Sequence, residues 1–252
     1  MTDDQKSNLV NVQQSPESER TARGERILDA AAELVLRWGY KRVTIEDVAK
    51  LAGIGKGTVY LHWRTRESLF VAVLLRDSLG LFDQVIGRMR ADPINVLPHR
   101  VMREVFLGSM ERPLLAAMLT RDFDVLGSLV ERGMTDVEPS EDEALRNNRA
   151  YLQLLRQAGL IRTDLDPDSQ LYLYQALVNG YSLAQPLLPK SIDIPLRAKA
   201  DALAHTFRMA FEPPGPPDPQ ALAAVAPQVI ELHQAVRDLY AAVIHTTKGE
   251  FT

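Results

Sequence analysis

Apolar residues recur at spacings of three and four along most of the chain, and no run alternates apolar and polar residues with the period of two that a half-buried strand requires. The pattern predicts an all-α protein of about ten helices. The first helix is expected from about residue 22 to Arg37, with Ile27, Ala31, Leu34, Val35 and Trp38 on one stripe and Gly39 closing it. Residues 1–19 show no packing pattern and read as a disordered tail.

The pattern is tightest between Arg42 and Trp63. Thr44, answered three residues later by Asp47, gives the start of a helix with a capping box. Ile45, Val48, Ala49 and Ala52 then share one face, and Gly53 stands where a helix ends and the backbone needs a positive φ. A second short helix must start near Gly55, with Val59 and Trp63 inward and Lys56, Thr58, Tyr60 and His62 left for other surfaces. Two short helices joined in this way read as a helix-turn-helix, whose second helix can enter the major groove of double-stranded DNA.

After this module Thr65 can cap a long helix carrying Leu69, Phe70, Val73, Leu74, Leu81, Val85 and Met89, which ends before Pro93. Short helical segments follow at about 97–111, 113–120 and 123–132. Ser140 and Glu143 form a second capping-box pattern, opening a helix to Gln157 with Leu145, Tyr151, Leu152 and Leu155 inward. Asp166 and Pro167 open the next, which from Leu171 to Leu188 is apolar nearly all round and so belongs in a core or between a core and a partner subunit. Pro195 opens another, with Leu196, Ala200, Leu203, Phe207 and Phe211. Beyond a proline-rich linker at 213–219, the last helix carries a seam of Leu222, Val225, Val229, Leu232, Val236, Leu239 and Val243, interrupted early by Pro227, for packing on the body or on a second subunit.

Composition changes this picture in two ways. The net charge of −4 argues against a nucleic-acid binder until it is divided along the chain: residues 20–66 carry +5 and the remainder −9. A basic N-terminal module on an acidic body is the footprint of a localised DNA-binding face. Arg20, Arg23 and Arg26 read either as a solvated start to the first helix or as an arm reaching DNA. The absence of cysteine removes disulfides and thiol chemistry, and the five histidines show no metal-ligand spacing, so no metal or cofactor is expected. With short, interrupted apolar runs and a polar start, no membrane span and a cytoplasmic location are expected.

The sequence offers one enzyme-like constellation, Gly53-Ile54-Gly55-Lys56-Gly57-Thr58, and it fails as a phosphate-binding loop. Lys50 sits where the first glycine is needed, Gly57 where Ser or Thr must follow the lysine, and a helix rather than a strand precedes it. Thr58 likewise occupies the third glycine of a dinucleotide fingerprint. No nucleophile elbow or paired-histidine zinc pattern is present, so no enzymatic activity is expected.

Ala30, Gly39, Thr44, Ile45, Val48, Ala49, Ala52, Gly53, Gly57, Thr58, Tyr60, Leu69 and Phe70 together resemble the N-terminal domain of the TetR family of bacterial transcriptional regulators. Two positions depart from it: Gly55 stands where the family often has serine, and Arg66 where it usually has lysine. The resemblance implies a three-helix DNA-binding domain over 20–65 and a larger helical effector-binding and dimerisation domain over 66–252. It implies Lys56 and Thr58 at the groove and Thr44, Tyr60 and Arg66 on phosphates, within a DNA-facing set completed by Arg42, Gly55, Gly57 and His62. Met102, Phe106, Met110, Met118, Phe123, Tyr151, Leu155, Tyr174 and Tyr181 read individually as core filling. As a set in such a regulator they are expected to line a pocket for a small, mainly apolar effector.

The expected function is therefore sequence-specific binding to a near-palindromic operator as a homodimer, most simply as a repressor released by that effector. The alternative is a helical interaction protein whose basic module binds DNA non-specifically. The dimer contact is expected from the helices at about 168–188 and 195–211, with Leu177 and Phe207 buried near it.

Overall fold

The computed structural model describes residues 16–126 and 141–247. Among these every regular element is helical: α1 (Pro16–Trp38), α2 (Ile45–Leu51), α3 (Lys56–His62), α4 (Arg66–Ala91), α5 (Pro98–Met110), α6 (Pro113–Leu119), α7 (Phe123–Leu126), α8 (Glu141–Gln157), α9 (Pro167–Ala184), α10 (Leu196–Phe211) and α11 (Pro219–Thr247), with short 3-10 turns between several of them. Residues 16–19, expected in a disordered tail, belong to the first helix. Helix α1 opens at Pro16, where proline lacks an N–H that would be unpaired anyway and Glu17 and Glu19 complement the positive helix end. Residues 1–15, and the expected cap at Ser140, lie outside the described residues.

The helix starts follow the expected chemistry. Asp47 N–H donates to Thr44 Oγ1 at 3.2 Å and Thr44 N–H to Asp47 Oδ2 at 3.0 Å. Thr65 and Ser68 repeat the exchange at α4, at 3.0 and 3.2 Å, and Asp166 accepts from the N–H groups of Asp168 and Ser169 at α9. Gly53 adopts φ +68° in the turn, as that position requires.

Two apolar cores share α4. Its first half buries an unbroken run from Leu69 to Leu75 against Ile27, Ala31, Leu34 and Val35 of α1 and Val48 and Val59 of the helix-turn-helix. Its second half places Val85, Ile86 and Met89 in the body, where Val85 and Met89 join the second core with Phe106, Tyr151, Tyr174, Phe207 and Phe211. At 26 residues α4 is about 39 Å long, enough to reach from one core into the other. Helix α5 approaches it closely at Gly108, where an added Cβ would stand 2.5 Å from Leu81 Cδ1.

Helix α11 continues through Pro227 and lies along α4. Arg237 Nε donates to Asp83 Oδ1 at 3.1 Å, and Tyr240 meets Phe82 edge-on with centroids 5.4 Å apart. At its far end Ile244 is buried in the first core. Helix α10 lies along α5, pinned where His99 Nδ1 stands 2.5 Å from Glu212 Oε1.

Two inward assignments are corrected, and two expectations for the dimer contact are located in the protomer. Trp38 and Leu145 are exposed, since each stands near a helix end where its stripe runs past the neighbouring element. Phe207 is fully buried, stacked on Phe211 and edge-on to Tyr174, so it belongs to the protomer's own core. Helix α9 is not buried all round: Leu171 and Tyr174 are inside, but Tyr172 is 76% exposed.

Candidate nucleic-acid interface and ligand cavity

Helix α3 is anchored by Val59 and Trp63, both at 0% exposure. His62 shares their face, because positions 59, 62 and 63 fall together at helical spacing. Its ring stacks beside Trp63 with centroids 5.4 Å apart, and Gly24 of α1 makes room for it: a Cβ there would sit 3.5 Å from His62 Nδ1. His62 is therefore buried, at 6% exposure, and is withdrawn from the DNA-facing set.

The opposite face of α3 is open. Gly55, Lys56, Gly57, Tyr60 and Leu61 are exposed, Thr58 is half-buried, and Arg42 and Thr44 are exposed beside them. Leu61 escaped the sequence reading because leucine suggests a core, although its spacing from Val59 points it outward. Glu46 on α2 was also missed. It forms an ion pair with Lys56 that ties the two helices, and the hydrogen bond from Lys56 holds the Glu46 carboxyl below the usual range and raises the Lys56 ammonium. The Lys56 ammonium also lies 5.9 Å from the Tyr60 ring centroid.

Arg66 faces the module's own backbone. Its Nε donates to Val43 O at 2.9 Å, a terminal nitrogen donates to Tyr40 O, and its guanidinium carbon lies 3.8 Å from the Tyr40 ring centroid. The phosphate role expected of Arg66 is corrected to that of a clamp between the 3-10 turn and the start of α4. A planar fork can satisfy two carbonyls while stacking on a ring, which an ammonium cannot. Thr44 remains exposed, but its hydroxyl donates to Asp47 Oδ2 at 2.6 Å while serving as the cap.

In the body, a cavity of about 310 Å³ lies among α4, α5, α6, α8, α9 and α11. Met102, Met118, Tyr151 and Tyr174 line it as expected. Phe106 and Tyr181 do not: they pack edge-on against each other, centroids 5.7 Å apart, with the Tyr181 hydroxyl on Lys199 O at 3.0 Å. Met110 packs beside the second core and Leu155 is fully inside it. On α5 the lining positions are 101, 102, 105 and 109, which turns 106 and 110 away. The side chain of Phe123 lies outside the described residues.

The sequence reading missed the polar part of the wall, because isolated polar residues leave no periodic signal. Ser78, Asn147, Asn148, Gln175 and His233 contribute to it, together with Phe82 and Tyr240. The Asn148 amide donates to Gln175 Oε1 at 3.1 Å, and the Tyr151 hydroxyl to Val96 O at 2.8 Å. His233 Nδ1 lies 2.8 Å from Val229 O and its ring meets Tyr151 edge-on at 5.6 Å. Burial raises the Tyr151 phenol well above its ordinary pKa and lowers that of His233.

Comparison with known proteins places this architecture. Residues 27–73, from α1 into α4, match the family described as bacterial regulatory proteins, tetR family. The chain is 30% identical over 139 residues to the HTH-type transcriptional repressor KstR of Rhodococcus jostii, a match covering 48% of this chain and 64% of that protein. It is 38% identical over 129 residues to an HTH-type transcriptional regulator of Mycobacterium bovis, covering 42% and 68%. Among solved structures, the transcriptional regulator FadR of Bacillus subtilis in complex with stearoyl-CoA superposes with a TM-score of 0.53 at 18% identity, covering 73% of this chain and 96% of that one. At that identity the likeness concerns the fold alone.

Proposed function

The chain belongs to the TetR family of bacterial regulatory proteins, and from that premise we propose a homodimeric, operator-binding repressor that a small, mainly apolar effector releases from DNA. The observation that carries the reading is the double role of α4. Ser78, Leu81, Phe82 and Val85 form one wall of the cavity, while Leu69–Leu75 of the same helix are locked into the core of the DNA-binding module. A ligand that displaces the second half of a stiff helix must move what its first half carries.

On the DNA side, Lys56, Thr58 and Leu61 face the groove, with Leu61 available to a thymine methyl, and Arg42, Thr44 and Tyr60 face phosphates. Lys56 must exchange Glu46 for DNA. The dimer reading is supported by apolar side chains left open on α9, α10 and the turns between them: Tyr172, Leu187 at 81% exposure, Ile192, Ile194 and Met209. Leu177, half-buried on α9, stays in that reading as an edge of the contact.

A protection assay on the DNA around its own coding region, repeated with apolar metabolites that calorimetry shows to bind, tests this function. A coupling of about 1–3 kcal/mol would weaken DNA binding roughly 5- to 150-fold. A protected site that no bound ligand weakens would refute effector control.

A further inference from the structure

We propose that the cavity selects an uncharged apolar molecule bearing a hydroxyl or N–H group, which donates its hydrogen to His233 Nε2. The inference rests on the effector reading above and adds the chemical class of the ligand.

Three of the hydrogens carried by the lining residues are already committed to backbone carbonyls. The Tyr151 hydroxyl donates to Val96 O, the Ser78 hydroxyl to Leu74 O at 3.1 Å, and His233 to Val229 O. A carbonyl oxygen only accepts, so the hydrogen between His233 and Val229 sits on Nδ1; in the neutral ring Nε2 is then an acceptor. Burial lowers the His233 pKa, which keeps that ring neutral near pH 7. Ser78 on α4 and His233 on α11 are thus left only lone pairs to offer a ligand.

His233 is held in place by its edge-on contact with Tyr151, ring centroids 5.6 Å apart, as well as by its bond to Val229 O. The Asn148–Gln175 amide pair retains further N–H groups and can serve the oxygen of the same or another ligand group. A hydroxyl, both donor and acceptor, suits this mixture; an ether oxygen leaves His233 Nε2 facing a second acceptor.

Charge is excluded by the same wall. Among the described residues that line the cavity none is Asp, Glu, Lys or Arg. A buried carboxylate would lose its hydration without a countercharge.

The test uses the full chain and Nile red, an uncharged dye that brightens in apolar surroundings, displaced by 1-decanol, decyl methyl ether or decanoate. The expected result is displacement by the alcohol at concentrations about tenfold or more below those of the ether and the carboxylate, a one-hydrogen-bond margin. His233→Leu should erase most of the alcohol–ether difference while still taking up the dye. If that variant does not fold, His233→Phe, which keeps a ring but no acceptor, makes the same comparison. Equal displacement by alcohol and ether would overturn the inference and leave the effector reading standing, as would a difference that survives in the folded variants. Failure of the dye and all three ligands to bind would overturn both.

Discussion

The Arg66 guanidinium lies over the Tyr40 ring, its central carbon 3.8 Å from the centroid, while the same fork donates to the backbone carbonyls of Val43 and Tyr40. This relationship sets how the helix-turn-helix leaves α4. Arg66→Ala should destabilise the chain by about 2 kcal/mol, combining a charged hydrogen bond to carbonyl with a partly buried stacking contact. Arg66→Lys should recover only part of it, since an ammonium cannot bridge two carbonyls from above a ring. Denaturant melts of the three proteins check the order. An Arg66→Ala variant of unchanged stability that binds DNA with a flatter salt dependence would return Arg66 to the phosphates.

Lys56 and Glu46 are paired across α2 and α3, so DNA binding exchanges one anion for another. Lys56→Ala should flatten the dependence of log affinity on log salt by about one unit. Glu46→Gln should raise affinity at low salt by freeing Lys56 and removing a carboxylate from the DNA face. Thr58→Ala should cost about 1–3 kcal/mol at one base pair while leaving the salt slope alone. Binding isotherms at several salt concentrations separate these three effects.

What could be read from the sequence follows from what leaves a local trace. The caps at Thr44 and Thr65, the turn at Gly53 and the inward pair Val59 and Trp63 are fixed by residues within one or two helical turns, and each stands as expected. Roles that depend on distant partners were not visible. His62 looked free until Gly24 opened a space for it 38 positions away, and Arg66 looked like a phosphate ligand until Tyr40 and Val43 came beneath it. The cavity was half legible: methionine and tyrosine content pointed to Met102, Met118, Tyr151 and Tyr174, but only the packing of α11 on α4 brings His233 to the wall.

His233 also makes stability depend on pH. Burial places its folded pKa below the ordinary histidine value, so the folded chain binds fewer protons than the unfolded one between the two values. Stability from this residue is intact above about pH 6.5 and is lost as pH falls below it, until the folded value is reached. The melting temperature of the wild type should therefore fall more steeply between about pH 6.5 and 5 than that of His233→Phe. The difference in slope is bounded at about 1.4 kcal/mol per pH unit. Parallel curves would show that His233 titrates alike in both states.

The exposed apolar surface of α9, α10 and their connection gives a test of assembly. Leu187→Asp and Tyr172→Glu alter side chains that are 81% and 76% exposed, so neither should lower the stability of the protomer appreciably. Each should weaken self-association by about tenfold or more if these side chains meet a second copy. Sedimentation velocity at micromolar concentration reads the shift, and a wild type that remains monomeric there would contradict the dimer.

Selection of bound sequences from a randomised DNA duplex, by the full chain at physiological salt, tests the proposed function most directly. A two-fold dimer presenting two copies of α3 should enrich a near-palindrome whose half-sites are centred about 34–36 Å apart or at a wider whole-turn spacing, and Lys56→Ala or Thr58→Ala should change it. Recovery of unenriched sequences, with binding that falls with salt alike on every duplex, would contradict it.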